Sequence, residues 1–401
     1  MDFCKMDFCR VALVFAVCYL CQVNGSENEN RLFEKLFADY NPDVRPVKNT
    51  TASTIRLNFG LALVQIMDTD EWNSELTTKM WVRMNWKDEF MTWNSDDAGG
   101  IDTLYIPGKK LWKPDAVVYN SVQKESPLMD DTTAVVTNDG TVLWIPQAVI
   151  KSSCSYDMTH FPYDTQYCQI KVGSWVYDGF KLDIDFYDGL EEIDITDYIS
   201  SNEWRLIGHA ARKNVKYYPC CAEPYPDLTF TLQLQRIPGA VAYLHVTAVV
   251  LLAVLVPFIF LVPHSQSQRF SFGGCVLICL FIMLGIMKDM YNSPKAAVPL
   301  IAVYYFSMVI LLVISFMVSA ITANMADSAK EPPNIIKKVF VNWCGKVVRV
   351  SAKSEDPEEG STEKKPSKAA SDWSLVGKVL DRIFFVIYVI LTIISSCALL
   401  L

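Results

Sequence analysis

The chain has 401 residues and a formal net charge of −8, with 51% hydrophobic and only 20% charged residues. This composition excludes a disordered chain and a strongly basic nucleic-acid-binding protein. Residues 26–237 carry 32 acidic and 20 basic residues, a net charge of −12, whereas residues 327–382 carry 9 acidic and 11 basic residues, a net charge of +2. Long stretches almost without charge lie between and after these segments, which indicates a membrane protein with an acidic half.

The first 25 residues have the pattern of a secretory signal peptide. Lys5 and Arg10 stand before an apolar run over residues 11–20, and Val23-Asn24-Gly25 is a small-residue cleavage site. The run is shorter than the roughly 20 residues that span a bilayer. We therefore expect a leader that is removed; a short buried helix is the alternative.

Four later segments are long and apolar enough to cross a membrane. They lie at 240–262, 270–287, 297–321 and 383–401. Gly273 and Gly274 favour a place for the second span inside a helix bundle, where small residues allow close approach. The positive-inside rule places Arg269 and the basic loop in the cytoplasm and both termini outside, in a multi-pass protein of the plasma membrane. The predicted parts are a leader (1–25), an extracellular domain (26–237), three spans (238–326), a cytoplasmic loop (327–382) and a fourth span (383–401).

Apolar residues of the extracellular segment recur with a period of two, which is typical of strands with one buried face. The clearest run contains Met80, Val82, Met84 and Trp86. Many short strands of this kind over about 200 residues predict one β-sandwich. Asn138-Asp139-Gly140 predicts a hairpin turn, and an apolar helical face that follows Ser26 and Glu29 predicts an N-terminal helix.

Cysteines and one glycosylation motif agree with an extracellular domain. Cys154, Cys168, Cys220 and Cys221 form an even set, for which three pairings exist. Since adjacent cysteines can hardly bridge to two partners at once, Cys154–Cys168 with Cys220–Cys221 is the simplest pairing. A zinc site is the alternative, but the spacing lacks a two-residue knuckle and a histidine cluster, so we expect no metal. Asn49 opens the acceptor sequence Asn49-Thr50-Thr51.

One strand carries an unusual aromatic residue. If its even-numbered residues face the core, Trp81 points outward beside Arg83 and Asn85, where another subunit could cover it; a wrongly assigned core face is the alternative. Further aromatic residues gather in turn-rich segments, namely Tyr119, Trp175, Tyr217, Tyr218 and Tyr225. Aromatic loops on a rigid sandwich suit a site for an organic cation, which the acidic domain would concentrate. Ordinary core packing is the alternative.

Specific motifs then point to a family. Cys154 and Cys168 enclose thirteen residues that include Phe161-Pro162-Tyr163-Asp164, and four spans follow the β domain. This pattern resembles the pentameric ligand-gated channels of the Cys-loop family. Within that family, Trp112-Lys113-Pro114-Asp115, Gly173-Ser174-Trp175 and residues 218–227 with their vicinal cysteines are similar to alpha-type nicotinic acetylcholine receptor subunits. The resemblance covers nearly all of the chain after the leader.

The resemblance implies an extracellular β-sandwich with an N-terminal helix, a four-helix transmembrane bundle, and a pentamer with ligand sites between subunits. The principal face would contain Tyr119, Trp175, Tyr218, Tyr225, Cys220 and Cys221. The complementary face, presented to the adjacent subunit, would contain Trp81, Val135, Leu143 and Ile145. Because one chain carries both faces, the implied assembly is a homopentamer or a heteropentamer with related subunits in membrane lipid. The implied agonist is an organic cation such as acetylcholine.

The second span carries a graded helical face. Its members are Ser271, Cys275, Ile278, Ile282, Gly285 and Asp289. By resemblance this face lines the pore, and Ile278 and Ile282 form a gate that closes by dewetting; a stripe that faces other helices is the alternative. Gln268 departs from cation-conducting relatives, which carry an acidic residue before the basic one. The length of segment 263–269 and Asp289 still favour cations, so we expect a weakened cation preference, with anion selectivity or a non-cholinergic agonist as alternatives.

The resemblance also implies a junction that couples the two domains. Its members would be Asp70, Glu71, Phe161, Pro162, Asp164, Arg236 and residues 293–299, although each could equally be a solvated loop. In the cytoplasmic loop, residues 335–343 predict an interfacial amphipathic helix. The polar stretch through Lys368 predicts a disordered linker.

Rival classes of protein fit the sequence less well. The four histidines are scattered, and they accompany no metal spacing, nucleophile elbow or phosphate loop, so we expect neither an enzyme nor a cofactor nor a nucleic-acid partner. A soluble binding module conflicts with four spans. An adhesion receptor would not need a second span with a graded polar face.

Overall fold

The computed structural model describes residues 27–124, 128, 132–263, 267–290, 298–326, 328, 331–344 and 368–400. The predicted leader, most of segment 293–299 and the polar linker before Lys368 lie outside these residues. Helix α1 (Glu27–Phe37) opens the described chain, as predicted, and Glu27 and Glu29 in its first turn complement the helix dipole. Two β-sheets and a set of long helices follow.

The first sheet has seven strands. They are β1 (Ile55–Asp70), β2 (Glu75–Lys87), β3 (Thr103–Pro107), β5 (Thr133–Thr137), β6 (Thr141–Trp144), β7 (Gln147–Ser153) and β9 (Leu182–Phe186). The main order is β3, β5, β6, β2, β1, β9, and β7 pairs with β2. The predicted hairpin turn joins β5 to β6, where Gly140 has a φ of 89° and its N–H donates to the Thr137 carbonyl oxygen at 2.8 Å.

The second sheet has five strands. They are β4 (Ala116–Val118), β8 (Thr165–Ser174), β10 (Trp204–Gly208), β11 (Ala211–Lys216) and β12 (Tyr225–Arg236). The main order is β10, β12, β8, β4, and β11 also pairs with β12. The long strands β8 and β12 therefore lie side by side. Their register pairs Asp227 with Gly173 at one end and Gln235 with Thr165 at the other.

The core lies between the two sheets, which confirms the predicted β-sandwich. On β2, Met80, Val82, Met84 and Trp86 are all buried. Phe59 of the first sheet contacts Phe230 of the second, with 6.0 Å between ring centroids. A disulfide joins Cys154, which follows β7, to Cys168 on β8. This bridge links the two sheets covalently.

Four helices are long and apolar enough to span a membrane, judged by length and composition. The helices are α2 (Ala240–Phe258), α3 (Gln268–Met290), α4 (Leu300–Ala326) and α6 (Lys368–Leu400). Their apolar portions are Ala240–Leu261, Gln268–Lys288, Leu300–Met325 and Asp372–Ala398. The fourth apolar portion begins earlier than the expected 383, because Val376 and Val379 bury against the bundle and continue the helical pattern. A short helix α5 (Asn334–Ile336) continues as a π-helical stretch, Lys337–Cys344, in the segment predicted to be amphipathic.

The disulfide-closed loop touches the helical bundle. The main-chain N–H of Leu300, the first residue of α4, donates to the Thr159 carbonyl oxygen at 3.0 Å. The Tyr163 ring lies 6.3 Å from the Tyr243 ring of α2. The loop between Cys154 and Cys168 therefore rests on two helices and connects the sandwich to the bundle.

Candidate functional site: an aromatic cleft, a polar junction and an exposed helix face

Asp115 fixes the loop that carries Trp175. The Asp115 carboxylate accepts hydrogen bonds from the Ser174 hydroxyl at 2.6 Å, the Trp175 N–H at 3.1 Å and the Val176 N–H at 2.7 Å. The Ser174 hydroxyl oxygen in turn accepts the Tyr177 N–H at 2.8 Å. The two motifs Trp112–Asp115 and Gly173–Trp175, distant in sequence, therefore act as one unit that holds the indole in place.

Four aromatic side chains predicted for the principal face meet in one cleft of about 400 Å³. Its lining contains Tyr119, Trp175, Tyr218, Tyr225, Lys171 and Ser174. The Tyr119 and Trp175 rings lie 6.3 Å apart and the Tyr218 and Tyr225 rings 5.5 Å apart, both edge to face. Trp175 is 71% exposed in the single chain, so its ring face is available to a ligand or a second subunit.

Tyr119 is locked into the floor of the cleft. Its hydroxyl donates to the Ser174 carbonyl oxygen at 2.6 Å. Burial, followed by the nearby charge of Asp227, raises the pKa of Tyr119, so the phenol stays neutral. A Cβ atom at Gly173 would come within 2.7 Å of Tyr119 Cζ, so only glycine there lets the ring occupy this position.

A charged pair accompanies the aromatic residues of the cleft. Lys171 Nζ is 3.1 Å from an Asp227 carboxylate oxygen, and Asp227 also accepts a hydrogen bond from the Asn214 amide at 2.8 Å. Lys171 Nζ stands 5.8 Å from the centre of the Tyr119 ring. Burial lowers the pKa of Lys171, but its hydrogen bonds and Asp227 outweigh this, so the pKa is raised and the ammonium is retained.

Cys220 and Cys221 form a disulfide in the loop that leads into β12. The Cys221 N–H donates to the Tyr218 carbonyl oxygen at 3.0 Å. The vicinal bridge thus shapes the turn between two cleft tyrosines, Tyr218 and Tyr225. Both disulfides expected from the simplest pairing are present.

The predicted complementary residues share the outward face of the other sheet. Trp81 is half-buried and lies opposite the buried residues of β2, as the alternation predicts. In the strand register, Asn85 of that face pairs with Leu143, and Leu143 pairs with Val135; Ile145 lies two residues further along the same face. Trp81 does not line the cleft of its own chain. The cleft and the face that carries Trp81 therefore belong to different sheets of the chain.

Helix α3 has one exposed and one buried side. The exposed side contains Gln268, Ser271, Cys275, Ile278, Ile282 and Gly285. On the buried side, a Cβ at Gly273 would come within 2.7 Å of the Phe316 ring of α4, so this glycine permits close helix packing. The graded face predicted from the sequence is therefore free in the single chain. The side chain of Asp289 lies outside the described part of the structure.

Arg269 lies on the buried side of α3, away from this exposed face. Its side chain is 1% exposed, and Nη2 is 2.9 Å from Asp381 Oδ1 on α6. The helical pattern of α3 could not reveal the contact between Arg269 and Asp381, because Asp381 lies 112 residues further along the chain.

A polar junction lies where the sandwich meets the bundle. Arg236 Nε is 2.8 Å from Asp164 Oδ1, and Arg236 Nη2 is 3.0 Å from Glu71 Oε1. The guanidinium also lies 4.3 Å from the Trp204 ring and 5.2 Å from the Phe161 ring. Burial lowers the pKa of Arg236, but the two carboxylates outweigh it, so the pKa is raised. The end of β12, the turn after β1 and the disulfide-closed loop therefore meet at the guanidinium group of Arg236.

The other predicted junction residues have different surroundings. Pro162 is buried beside Phe161. Asp70 instead accepts hydrogen bonds from the Asn73 N–H and side-chain amide, at 2.9 and 2.8 Å, and these bonds lower its pKa. Asp70 thus stabilises the turn between β1 and β2. The glycosylation candidate Asn49 is exposed, and its side-chain oxygen accepts the Thr51 hydroxyl at 2.8 Å.

Sequence reasoning gave no role to three residues that organise the site. Asp115 holds the loop that carries Trp175, and the pair Lys171–Asp227 joins β8 to β12; Asp115 and Asp227 belong to motifs named above, and Lys171 does not. An outward position on an alternating strand was the only signal for Lys171. Within the described ranges, no group of three or more His, Cys, Asp or Glu side chains could hold a metal ion.

A two-sheet domain with an aromatic cleft, joined through a polar junction to four apolar helices, defines a ligand-binding membrane protein of the receptor-channel class. The profile described as "Neurotransmitter-gated ion-channel ligand binding domain" matches residues 29–238. The chain belongs to the neurotransmitter-gated ion-channel family. It is accordingly a multi-pass membrane channel subunit and not an enzyme.

Curated relatives agree with this assignment. The chain is 32% identical to human neuronal acetylcholine receptor subunit alpha-3 over 358 residues, 88% of this chain and 70% of that protein. It is 35% identical to human subunit alpha-2 over 300 residues, 75% of this chain but only 56% of that protein. It is 32% identical to the Rattus norvegicus subunit alpha-9 over 348 residues, 86% of this chain and 72% of that protein. The matched region thus spans between about half and three quarters of these relatives.

Proposed function

We propose that this chain is a subunit of a pentameric channel that opens when an organic cation of the acetylcholine type binds between subunits. One observation carries the proposal: four aromatic rings and a fixed tryptophan loop form a cleft on one sheet, while Trp81 faces outward on the other. Electron-rich ring faces attract quaternary ammonium groups, and closure by a neighbouring subunit strengthens this attraction by removing water. The names of the similar acetylcholine receptor subunits support the same ligand class.

The proposed conduction path is the exposed face of α3. Five copies around an axis would stack rings of Ser271, Cys275, Ile278 and Ile282, and the two isoleucine rings would form a closed gate by dewetting. Asp289 would concentrate cations at the outer mouth. We propose cation conduction on this basis. The assembly is a homopentamer or contains related subunits in a lipid bilayer.

The junction residues support a route from ligand to gate. Asp164 lies in the loop that rests on α2 and α4, Glu71 lies in the turn after β1, and Arg236 ends the strand that begins with Tyr225 of the cleft. A movement of the cleft loops would therefore reach the helices along β12. We assign Glu71, Phe161, Pro162, Asp164 and Arg236 to this coupling role; Asp70 would support the turn that carries Glu71.

Whole-cell recording from cells expressing this chain alone tests the proposal. Organic cations with quaternary ammonium groups should evoke currents whose reversal potential follows sodium when sodium or chloride is replaced. Untransfected cells and the Trp175→Ala variant are the controls. Currents that follow chloride would overturn the cation assignment. A silent chain that also fails to bind labelled quaternary ammonium ligand at the cell surface would overturn the ligand assignment.

A further inference from the structure

Arg269 is the basic residue at the inner end of the proposed pore helix, yet it lies on the wrong side to face the pore. An α-helix turns by about 100° per residue, so Arg269 lies about 150° from the middle of the face formed by Ser271, Cys275, Ile278 and Ile282. Its side chain is 1% exposed. It shares the buried side of α3 with Gly273, Val276, Leu280 and Met287.

Asp381 of α6 holds the buried guanidinium. Arg269 Nη2 donates to Asp381 Oδ1 at 2.9 Å, and the Asp381 side chain is itself 7% exposed. The guanidinium carbon lies 5.2 Å from the Phe260 ring, at the end of the first membrane helix. Arg269 Nε and Nη1 are buried and have no hydrogen-bond partner among the described residues. Asp381 is thus the one acceptor that the described chain offers to this cation.

This arrangement matters because the exposed position next to Arg269 is neutral. Gln268 is exposed and carries no charge to offset a positive ring at the inner mouth. Five free guanidinium groups there would repel sodium over about 10 Å at 0.1 M salt. A buried cation that loses its partner is driven toward water, since an unpaired charge in a dry interior is strongly unfavourable.

We propose that Asp381 is a positioning residue that determines ion specificity: it binds Arg269 behind the pore helix and thereby keeps this positive charge out of the conduction path. This inference rests on the proposed cation-conducting function. It explains how a chain with Gln268 at the inner mouth can retain a preference for cations.

The test compares wild type, Asp381→Asn and the double variant Arg269→Gln/Asp381→Asn by reversal potential in sodium chloride gradients. Asp381→Asn should lower the permeability ratio of sodium to chloride several-fold, because Arg269 is released. The double variant should regain the wild-type ratio, because no charge remains to be released. The shift in Asp381→Asn should shrink as salt rises from 0.1 to 1 M, where the Debye length falls from about 10 to 3 Å. A purely structural defect would not show this salt dependence.

A matched control removes another carboxylate of the same helix. Asp372 pairs with Lys337 of the segment after α4 at 2.7 Å, and Asp372→Asn should keep the wild-type permeability ratio. If Asp381→Asn does not reach the surface alone, co-expression with excess wild-type chain places single variant subunits in each channel, and the same shift is expected at smaller size.

The outcomes separate the two proposals. A wild-type channel that follows chloride overturns the proposed function and this inference together. A cation-selective wild type whose permeability ratio is unchanged in Asp381→Asn overturns this inference alone. A shift that persists in the double variant also overturns it, because Arg269 would then not be the cause.

Discussion

Arg236 and Asp164 are joined by three hydrogen bonds, two from the guanidinium to the carboxylate at 2.8 and 3.2 Å and one from the Arg236 N–H to the Asp164 carbonyl oxygen at 3.0 Å. The last residue of β12 is thereby fixed to the disulfide-closed loop through both its main chain and its side chain. Asp164 also accepts the Gln166 side-chain amide at 2.5 Å and is 2% exposed. The pair is a rigid element between the cleft strand and the helices.

The first prediction is that Asp164→Asn destabilises the extracellular domain and reduces the number of receptors at the cell surface. Loss of the Asp164 carboxylate leaves the largely buried Arg236 guanidinium paired with Glu71 alone among the described residues, and a lost hydrogen bond to a charged group costs about 1.5–3 kcal/mol. Surface labelling and thermal unfolding of detergent-solubilised protein measure this loss. Asp157→Asn is the matched control, because Asp157 is exposed in the same loop. Equal surface levels and thermal stability in the two variants would contradict the prediction.

The second prediction concerns Gly173. Gly173→Ala should weaken ligand binding, because the added methyl group overlaps the Tyr119 ring and overpacking of this kind costs about 1–3 kcal/mol. The Tyr119 hydroxyl is the atom nearest to the added group. Combining Gly173→Ala with Tyr119→Phe should therefore restore part of the lost affinity relative to Tyr119→Phe alone. Competition binding on intact cells measures both effects, and a Gly173→Ala variant with wild-type affinity would refute the packing argument.

The third prediction tests whether two subunits share the ligand. Trp175→Ala and Trp81→Ala should each weaken binding of a quaternary ammonium ligand by roughly 1–3 kcal/mol through lost ring contacts, a change of about 5- to 150-fold. Trp72→Ala is the control, because Trp72 is 50% exposed and follows Glu71, which contacts Arg236 at the end of β12 opposite to Tyr225. Unchanged affinity in both Trp175→Ala and Trp81→Ala would place the ligand elsewhere.

The fourth prediction concerns the gate. Ile278→Ser should open the channel at lower agonist concentration or without agonist, since a hydroxyl ring hydrates a constriction that stacked isoleucines keep dry. Concentration–response curves and resting current measure the change. Ile310→Ser is the control on α4, where Ile310 is 57% exposed in the single chain but outside the proposed pore helix. A similar response in both variants would remove Ile278 from the gate.

The fifth prediction identifies the pore face. Cys275 is exposed in the single chain, and charged thiol reagents should modify it in the presence of agonist and reduce the current. The Cys275→Ser variant should be protected from this effect. Val276→Cys, built on Cys275→Ser, places a thiol on the buried side of α3 and should not react. Reaction at position 276 with an inert Cys275 would show that the pore lies on another face.

Much of the fold could be predicted from local sequence patterns. The period of two on β2, the Asn138–Gly140 turn and the apolar helices were predictable because each depends on residues close together in sequence. The predicted outward position of Trp81 follows from strand alternation alone, and the structure agrees. The sequence motifs near Tyr119, Trp175 and the vicinal cysteines could be recognised before the structure was known. The structure brings the aromatic side chains of these motifs together in one cleft. Their roles with ligand stay predictions.

The sequence by itself determined which residues are apolar, aromatic or charged and on which face of a strand or helix each one falls. Only the tertiary structure decided which distant residues meet. Asp115 reaches the Trp175 loop across 60 residues, and Arg269 reaches Asp381 across 112. The helical period places Arg269 off the proposed pore face. Whether its charge contacts water, lipid or a carboxylate depends on how α6 packs against α3, because a buried charge is stable only with a partner that the tertiary structure provides.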